Sequence, residues 1–184
     1  MFSELLWIHA TGVCALALNV AALVRTCEMS LRIQSGLAGV IWALNNLLLG
    51  AHTAAALSLV SAGRTASSAA TLSARANVRG AVFAAFLVVT LTVGVLTWHG
   101  WPSALIVLAS VLSTFAMFYL RGRPLRLTML MVSALWMYNA WLYDSWEQMA
   151  ANVLTAAAAL YGARRADQVQ ARAAAATLRR RASA

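Results

Sequence analysis

Seven apolar runs, each close to the length of a bilayer span and separated by short polar breaks, govern what this chain can fold into. A membrane-crossing helix needs about 20 predominantly apolar residues. The runs read as Leu5–Val24, Leu31–Leu49, Thr53–Ser73, Val78–Trp98, Ser103–Leu120, Leu125–Tyr143 and Glu147–Gly162. They leave little chain over. The third is rich in Ala, Ser and Thr and carries Arg64, a composition suited to close helix–helix contact in a membrane. Only 10% of the 184 residues are charged, where a soluble domain carries about 25%. A water-soluble globule is thereby excluded. Two Cys and two Pro provide neither a disulfide framework nor a Pro-rich linker.

The charge is lopsided, with 14 basic residues against 5 acidic, and every basic residue is Arg. Placed on the runs, the arginines occupy alternate breaks. Arg25 and Arg32 flank the first, Arg75 and Arg79 the third, Arg121, Arg123 and Arg126 the fifth, and Arg164, Arg165, Arg172 and Arg179–Arg181 follow the seventh run. The intervening breaks hold His52, His99, Asp144 and Glu147. The positive-inside rule then puts the N-terminus outside and the C-terminus in the cytoplasm. Arginines spent on orientation do not form a nucleic-acid groove. Glu4 stands where a signal peptide would be basic, so the first run is expected to persist as a span. The Ala- and Arg-rich stretch 166–184 reads as a cytoplasmic tail on anionic lipid.

Offset by 94, residues 16–58 lie over 110–152 without a gap. Leu31 and Arg32 meet Leu125 and Arg126, Trp42 meets Trp136, Asn45 meets Asn139, Leu48 meets Leu142 and Ala56 meets Ala150. Aligned Trp, Asn and Arg are hard to obtain by chance in Ala/Leu-rich sequence. The expectation is an all-α, polytopic bundle of seven transmembrane helices, two parallel three-helix repeats joined by a connecting helix. Its parts are residues 1–73, the connector 74–101, residues 102–165 and the tail 166–184.

Several segments carry a family resemblance. They are Leu31–Gly50 with Trp42, Asn45 and Asn46; Ser61-Ala62-Gly63-Arg64-Thr65; Leu112-Ser113-Thr114-Phe115-Ala116; and Trp136-Met137-Tyr138-Asn139-Ala140-Trp141. Over roughly residues 8–165 the chain resembles the YgjV family of bacterial inner-membrane proteins, which implies location but no defined activity. More distantly, the three-plus-one-plus-three layout resembles the SWEET, PQ-loop and nicotinamide-riboside transporter group. That likeness implies a solute site using Trp136 and Asn152; the first repeat departs from it with Ser58 opposite Asn152, and the Pro-Gln pair is absent.

Depth follows from counting at 1.5 Å per residue. Asn45 and Asn46 lie about 20 Å from Arg32, Asn139 equally far from Arg126, and Ser58 and Asn152 about 8–10 Å below the outer face. Trp42 and Trp136 fall one turn deeper, as an aromatic floor. A hydrogen-bonding layer over aromatic surface at a repeat interface suits a small polar solute. The same Asn residues equally suit helix-to-helix bonds. Arg64, about 18 Å below the outer face, has no Asp or Glu at its depth. It either caps backbone carbonyls or meets an anionic solute in a water-filled cavity.

His9, His52 and His99 gather near the outer face with Glu4, Asp144 and Glu147. A proton-accepting gate and a weak metal site are both conceivable, but the spacings match no metal motif, so no metal or cofactor is assigned. Cys14 and Cys27, about 20 Å apart along a helix, cannot bridge. No nucleophile elbow, phosphate loop or buried carboxylate pair stands out, and the acids look superficial, so no enzyme is expected and no catalytic residue is named. The substrate-binding candidates are Trp42, Asn45, Asn46, Ser58, Arg64, Trp136, Asn139 and Asn152. Three functional readings follow: a small-solute transporter or binding protein working by alternating access, a membrane scaffold or accessory subunit, and a lipid-acting enzyme, the last lacking a carboxylate or His at depth. The partners expected are the lipid bilayer and a small polar or anionic solute, with no nucleic acid; the oligomeric state is left open.

Overall fold

Each apolar run becomes one helix. The computed structural model describes residues 2–24, 28–71, 74–120, 122–161 and 164. Its helices are α1 (Phe2–Val24), α2 (Glu28–Leu48), α3 (His52–Ala70), α4 (Ala76–Leu96), α5 (Trp101–Tyr119) and α6 (Gly122–Leu142), followed by α7 over 146–161. Most begin one to three residues before the apolar run, because polar and charged residues continue a helix into its first turn. The tail 166–184, Arg25, Cys27, Arg121 and Arg165 lie outside the described residues. So do the side chains of Glu4 and Arg32.

Among the described residues, two helices, Ala76–Leu96 and Trp101–Tyr119, are long and apolar enough to cross a membrane by length and composition. The apolar stretches Leu5–Ala21 and Gly36–Leu48 are shorter. The reason lies in what the other helices carry: α3 holds Arg64 among Ser and Thr, and α6 holds Arg123 and Arg126. Large apolar side chains such as Leu37, Leu44, Val88, Val95 and Met131 point outward, while the interior holds Asn, Ser, Thr and Glu147 beside Ala and Leu. That distribution inverts the soluble pattern and is what lipid as solvent requires.

Helix α2 packs against α1 and α3, α3 against α5, and α5 against α6. Buried Ala15, Ala38, Trp42 and Ala151 form one cluster that ties α7 to α1 and α2. A second unites Ala51, Ala54, Leu57 and Ile106, with Val93 and Trp136 packed on it. Helix α4 leans on α3 and α5. Its close approach uses Gly94, where an added Cβ would stand 2.4 Å from Val107, and edge-on contacts of Phe83 with Phe118 and Tyr119.

The α2–α3 and α6–α7 turns share their cap hydrogen bonds. Gly50 N donates to Leu47 O and Ala51 N to Asn46 O; Asp144 N donates to Trp141 O and Ser145 N to Ala140 O. These are paired Schellman caps, with Gly50 (φ 75) and Asp144 (φ 51) in the left-handed region. Both cap bonds of the first turn recur 94 positions later, whereas the His52 N to Gly50 O bond has no counterpart in the second turn among the described residues. The bundle end that carries both is called the turn end below.

Candidate functional site

A cavity of about 170 Å³ lies among five helices. Trp42 and Gly39 of α2 and Trp136 of α6 supply aromatic and close-packed walls. Ser58 and Ser61 come from α3, Asn19 from α1, and Gln148, Ala151, Asn152 and Thr155 from α7. Spacings of three and four put the α3 and α7 contributors on single helical faces. At Gly39 an added Cβ would sit 3.2 Å from the Ala62 Cβ, so the missing side chain lets α2 approach α3 beside the cavity. Six of the lining residues form three pairs 94 positions apart: Trp42 with Trp136, Ser58 with Asn152, and Ser61 with Thr155.

Polar groups here are partly committed within their own helices. Asn152 Nδ2 donates to Gln148 O at 2.9 Å, and Thr155 Oγ1 to Ala151 O at 2.8 Å. Gln148 is 5% exposed, yet its Oε1 meets no hydrogen-bond partner among the described residues. A buried amide oxygen without a partner costs about 1–3 kcal/mol, which a solute donor would relieve. None of the described lining residues is ionisable. Indole faces with amides and hydroxyls suit an uncharged molecule having an apolar face and several hydrogen-bonding groups.

Of the eight residues singled out by sequence, Trp42, Ser58, Trp136 and Asn152 line this cavity, and the other four do not. Asn45 Nδ2 donates to Ile8 O at 2.8 Å and Thr11 Oγ1 at 3.1 Å, stitching α2 to α1. Asn46 Nδ2 turns back to Trp42 O at 2.8 Å. Asn139 is buried, with its Nδ2 unpartnered among the described residues. Arg64 is also buried, and it reaches across to α5, where Nη1 donates to Ser110 O at 3.1 Å and Thr114 Oγ1 at 2.9 Å. Its Nη2 donates to Ser61 Oγ at 3.1 Å, so it touches the cavity wall through Ser61. Asn19, Gln148, Ser61 and Thr155 escaped the sequence reading. The 94-residue offset signals the last two, since it pairs Ser61 with Thr155 as it pairs Ser58 with Asn152.

At the turn end, the histidines divide between two seams. His52 and His99 bring their rings within 5.6 Å, beside Thr53, which donates to Thr97 O and lies 3.0 Å from Ser103 Oγ. His9 Nδ1 lies 2.6 Å from Glu147 Oε1. Here the expectation of superficial acids is corrected: Asp144 is exposed, but Glu147 is completely buried. The cause is Gly12, whose missing Cβ would fall 2.9 to 3.1 Å from three carbons of the Glu147 side chain. Glu147 occupies that gap and reaches His9.

A family model, Imp-YgjV, described as bacterial inner membrane protein, matches residues 6–170. No curated protein and no solved structure matches the chain.

Proposed function

This chain belongs to the Imp-YgjV family of bacterial inner membrane proteins, and from that premise we propose that it binds a small, uncharged polar solute in the central cavity and moves it by alternating access. The carrying observation is the paired lining, in which Trp42 and Trp136, Ser58 and Asn152, and Ser61 and Thr155 face one space. In a 3+1+3 arrangement of two parallel three-helix units, such pairs mark the axis between the units, where transporters built from repeats hold their substrates. The matching turns support the same two units. The cavity lies below the roughly 300 Å³ at which drug-sized pockets begin, which favours a compact solute. Seven spans with the N-terminus outside, as the arginine bias requires, would put the turn end on the outer side. The SWEET-like layout agrees with this reading, but rests on sequence alone.

An anionic solute is the weaker choice. The guanidinium nitrogens Nη1 and Nη2 of Arg64 are engaged by Ser110, Thr114 and Ser61, as in the carbonyl-capping alternative. A scaffold needs no lining of this kind, although the structural bonds of Asn45 and Asn46 fit one.

The test is thermal stabilisation of the purified full-length chain, screened over neutral polyols, nucleosides, small amides and organic anions. Saturation at about 100 times the dissociation constant adds about 2.7 kcal/mol. A neutral solute should raise the unfolding temperature, and Trp42→Ala or Asn152→Ala should abolish the shift. Stabilisation by anions alone, lost in Arg64→Ala, would overturn the uncharged-solute reading. A silent screen would favour the scaffold.

A further inference from the structure

We propose that the His9–Glu147 pair is a proton-binding site, and that the proton is the coupling ion of the transporter proposed above, on which this second statement rests. The pair spans the seam between α1 and α7. Glu147 is fully buried and His9 is 44% exposed by side chain, so His9 connects solvent to a carboxylate that has no other contact with it. Oε1 lies 2.6 Å from Nδ1, and Oε2 meets no partner among the described residues. A carboxylate held this way depends on the charge of one imidazole.

The opposite seam holds the His52 and His99 rings 5.6 Å apart but has no buried carboxylate among the described residues. Glu147 stands 94 positions after Thr53, and Ser103 stands 94 after His9; Thr53 and Ser103 meet at 3.0 Å across α3 and α5. Equivalent positions thus hold a neutral hydroxyl pair at one seam and an acid–base pair at the other. Among the described residues, only the α1–α7 seam buries a carboxylate.

The surroundings leave the pair to set its own charge. Among described residues, Gln34 through Leu48 of α2 include no ionisable side chain, and α1 from Leu5 to Ala21 adds only Cys14. From 146 to 161, α7 adds only Tyr161, far along the helix; Asp144, in the preceding turn, is exposed. Asn45 fixes α1 beside the pair by its bonds to Ile8 and Thr11, and the Trp146 ring lies 6.5 Å from that of His9. With one proton on the pair, imidazolium meets carboxylate and the seam is closed. Loss of that proton from His9 to outside water leaves a buried anion facing a neutral ring, and the seam opens to hydrate it. Solute then enters, and rebinding of a proton closes the seam over it.

The experiment needs no solute, so its failure is separable from failure of the cavity reading. Cys14→Ser and Cys27→Ser remove the native thiols, and spin labels go on Leu6→Cys of α1 and Val153→Cys of α7, both on exposed positions. Pulsed-resonance distances are read in lipid nanodiscs from about pH 5 to about pH 9. The spacing should lengthen as pH rises. Glu147→Gln, with no charge to bury, should be short throughout. His9→Lys, which keeps a cation to about pH 10, should also stay short. A wild-type spacing independent of pH would overturn the proposal, as would a pH response that survives in either variant.

Discussion

Arg64 shows how one side chain can look like a ligand group and act as a strut. Placing an Arg inside a membrane costs at least about 2.5 kcal/mol, and here the charge is met by the Ser110 carbonyl and two hydroxyls. Lysine offers a point charge and cannot serve Ser110, Thr114 and Ser61 with the same planar fork. Arg64→Lys and Arg64→Ala should each lower the unfolding free energy, by about 1.5–3 kcal/mol per charged hydrogen bond lost. Chemical denaturation in detergent would check this, and unchanged stability in Arg64→Ala would refute the strut. Counting residues gave the depth of Arg64 and of the Asn residues, but not the direction in which they point. Each residue turns about 100° around the helix. Asn45, three residues past Trp42, stands only about 60° around α2 from it, and its amide turns to Ile8 and Thr11 of α1 instead of the cavity. Depth and the 94-residue offset marked Trp42, Trp136, Ser58 and Asn152, which line the cavity, but equally Asn45 and Asn139, which do not. Gln148 was not marked, since its role depends on how α7 is rotated.

At the scale of the element, helix positions were readable from apolar length, and their ends were not, because caps depend on backbone angles more than on hydropathy. The two Schellman turns illustrate this. Gly50 takes φ 75 without penalty, whereas Asp144 holds φ 51 with a Cβ, a conformation that costs about 1–2 kcal/mol for most residues. Gly50→Ala should therefore destabilise the protein by about 1 kcal/mol, and Asp144→Gly should be neutral or stabilising. Thermal unfolding of both variants reads this directly; equal losses would contradict the cap assignment. A Gly immediately after an apolar run was the available signal. The burial of Glu147 had none, because the space it fills is created by Gly12 on a helix more than a hundred residues away in sequence.

Over the whole molecule, the internal offset organises more than the sequence alignment suggested. It pairs the turns, three sets of cavity residues and the contacts at both seams. Departures from it are where function is proposed. Arg64 stitches the α3–α5 seam, while the equivalent position on α7 is Ala158; Glu147 charges the α1–α7 seam, while Thr53 stays neutral. On the proposed reading the first seam holds and the second responds. This division was beyond sequence reasoning, since it requires knowing that α1 meets α7 and α3 meets α5. The central claim is a solute cavity shared by both units. Its most direct test is thiol accessibility of Ser61→Cys and Thr155→Cys, made singly in the chain freed of Cys14 and Cys27 and embedded in lipid vesicles. The account predicts that small water-soluble thiol reagents modify both positions, and that a solute which raises the unfolding temperature protects both. Modification or protection at only one of the two would contradict a shared cavity.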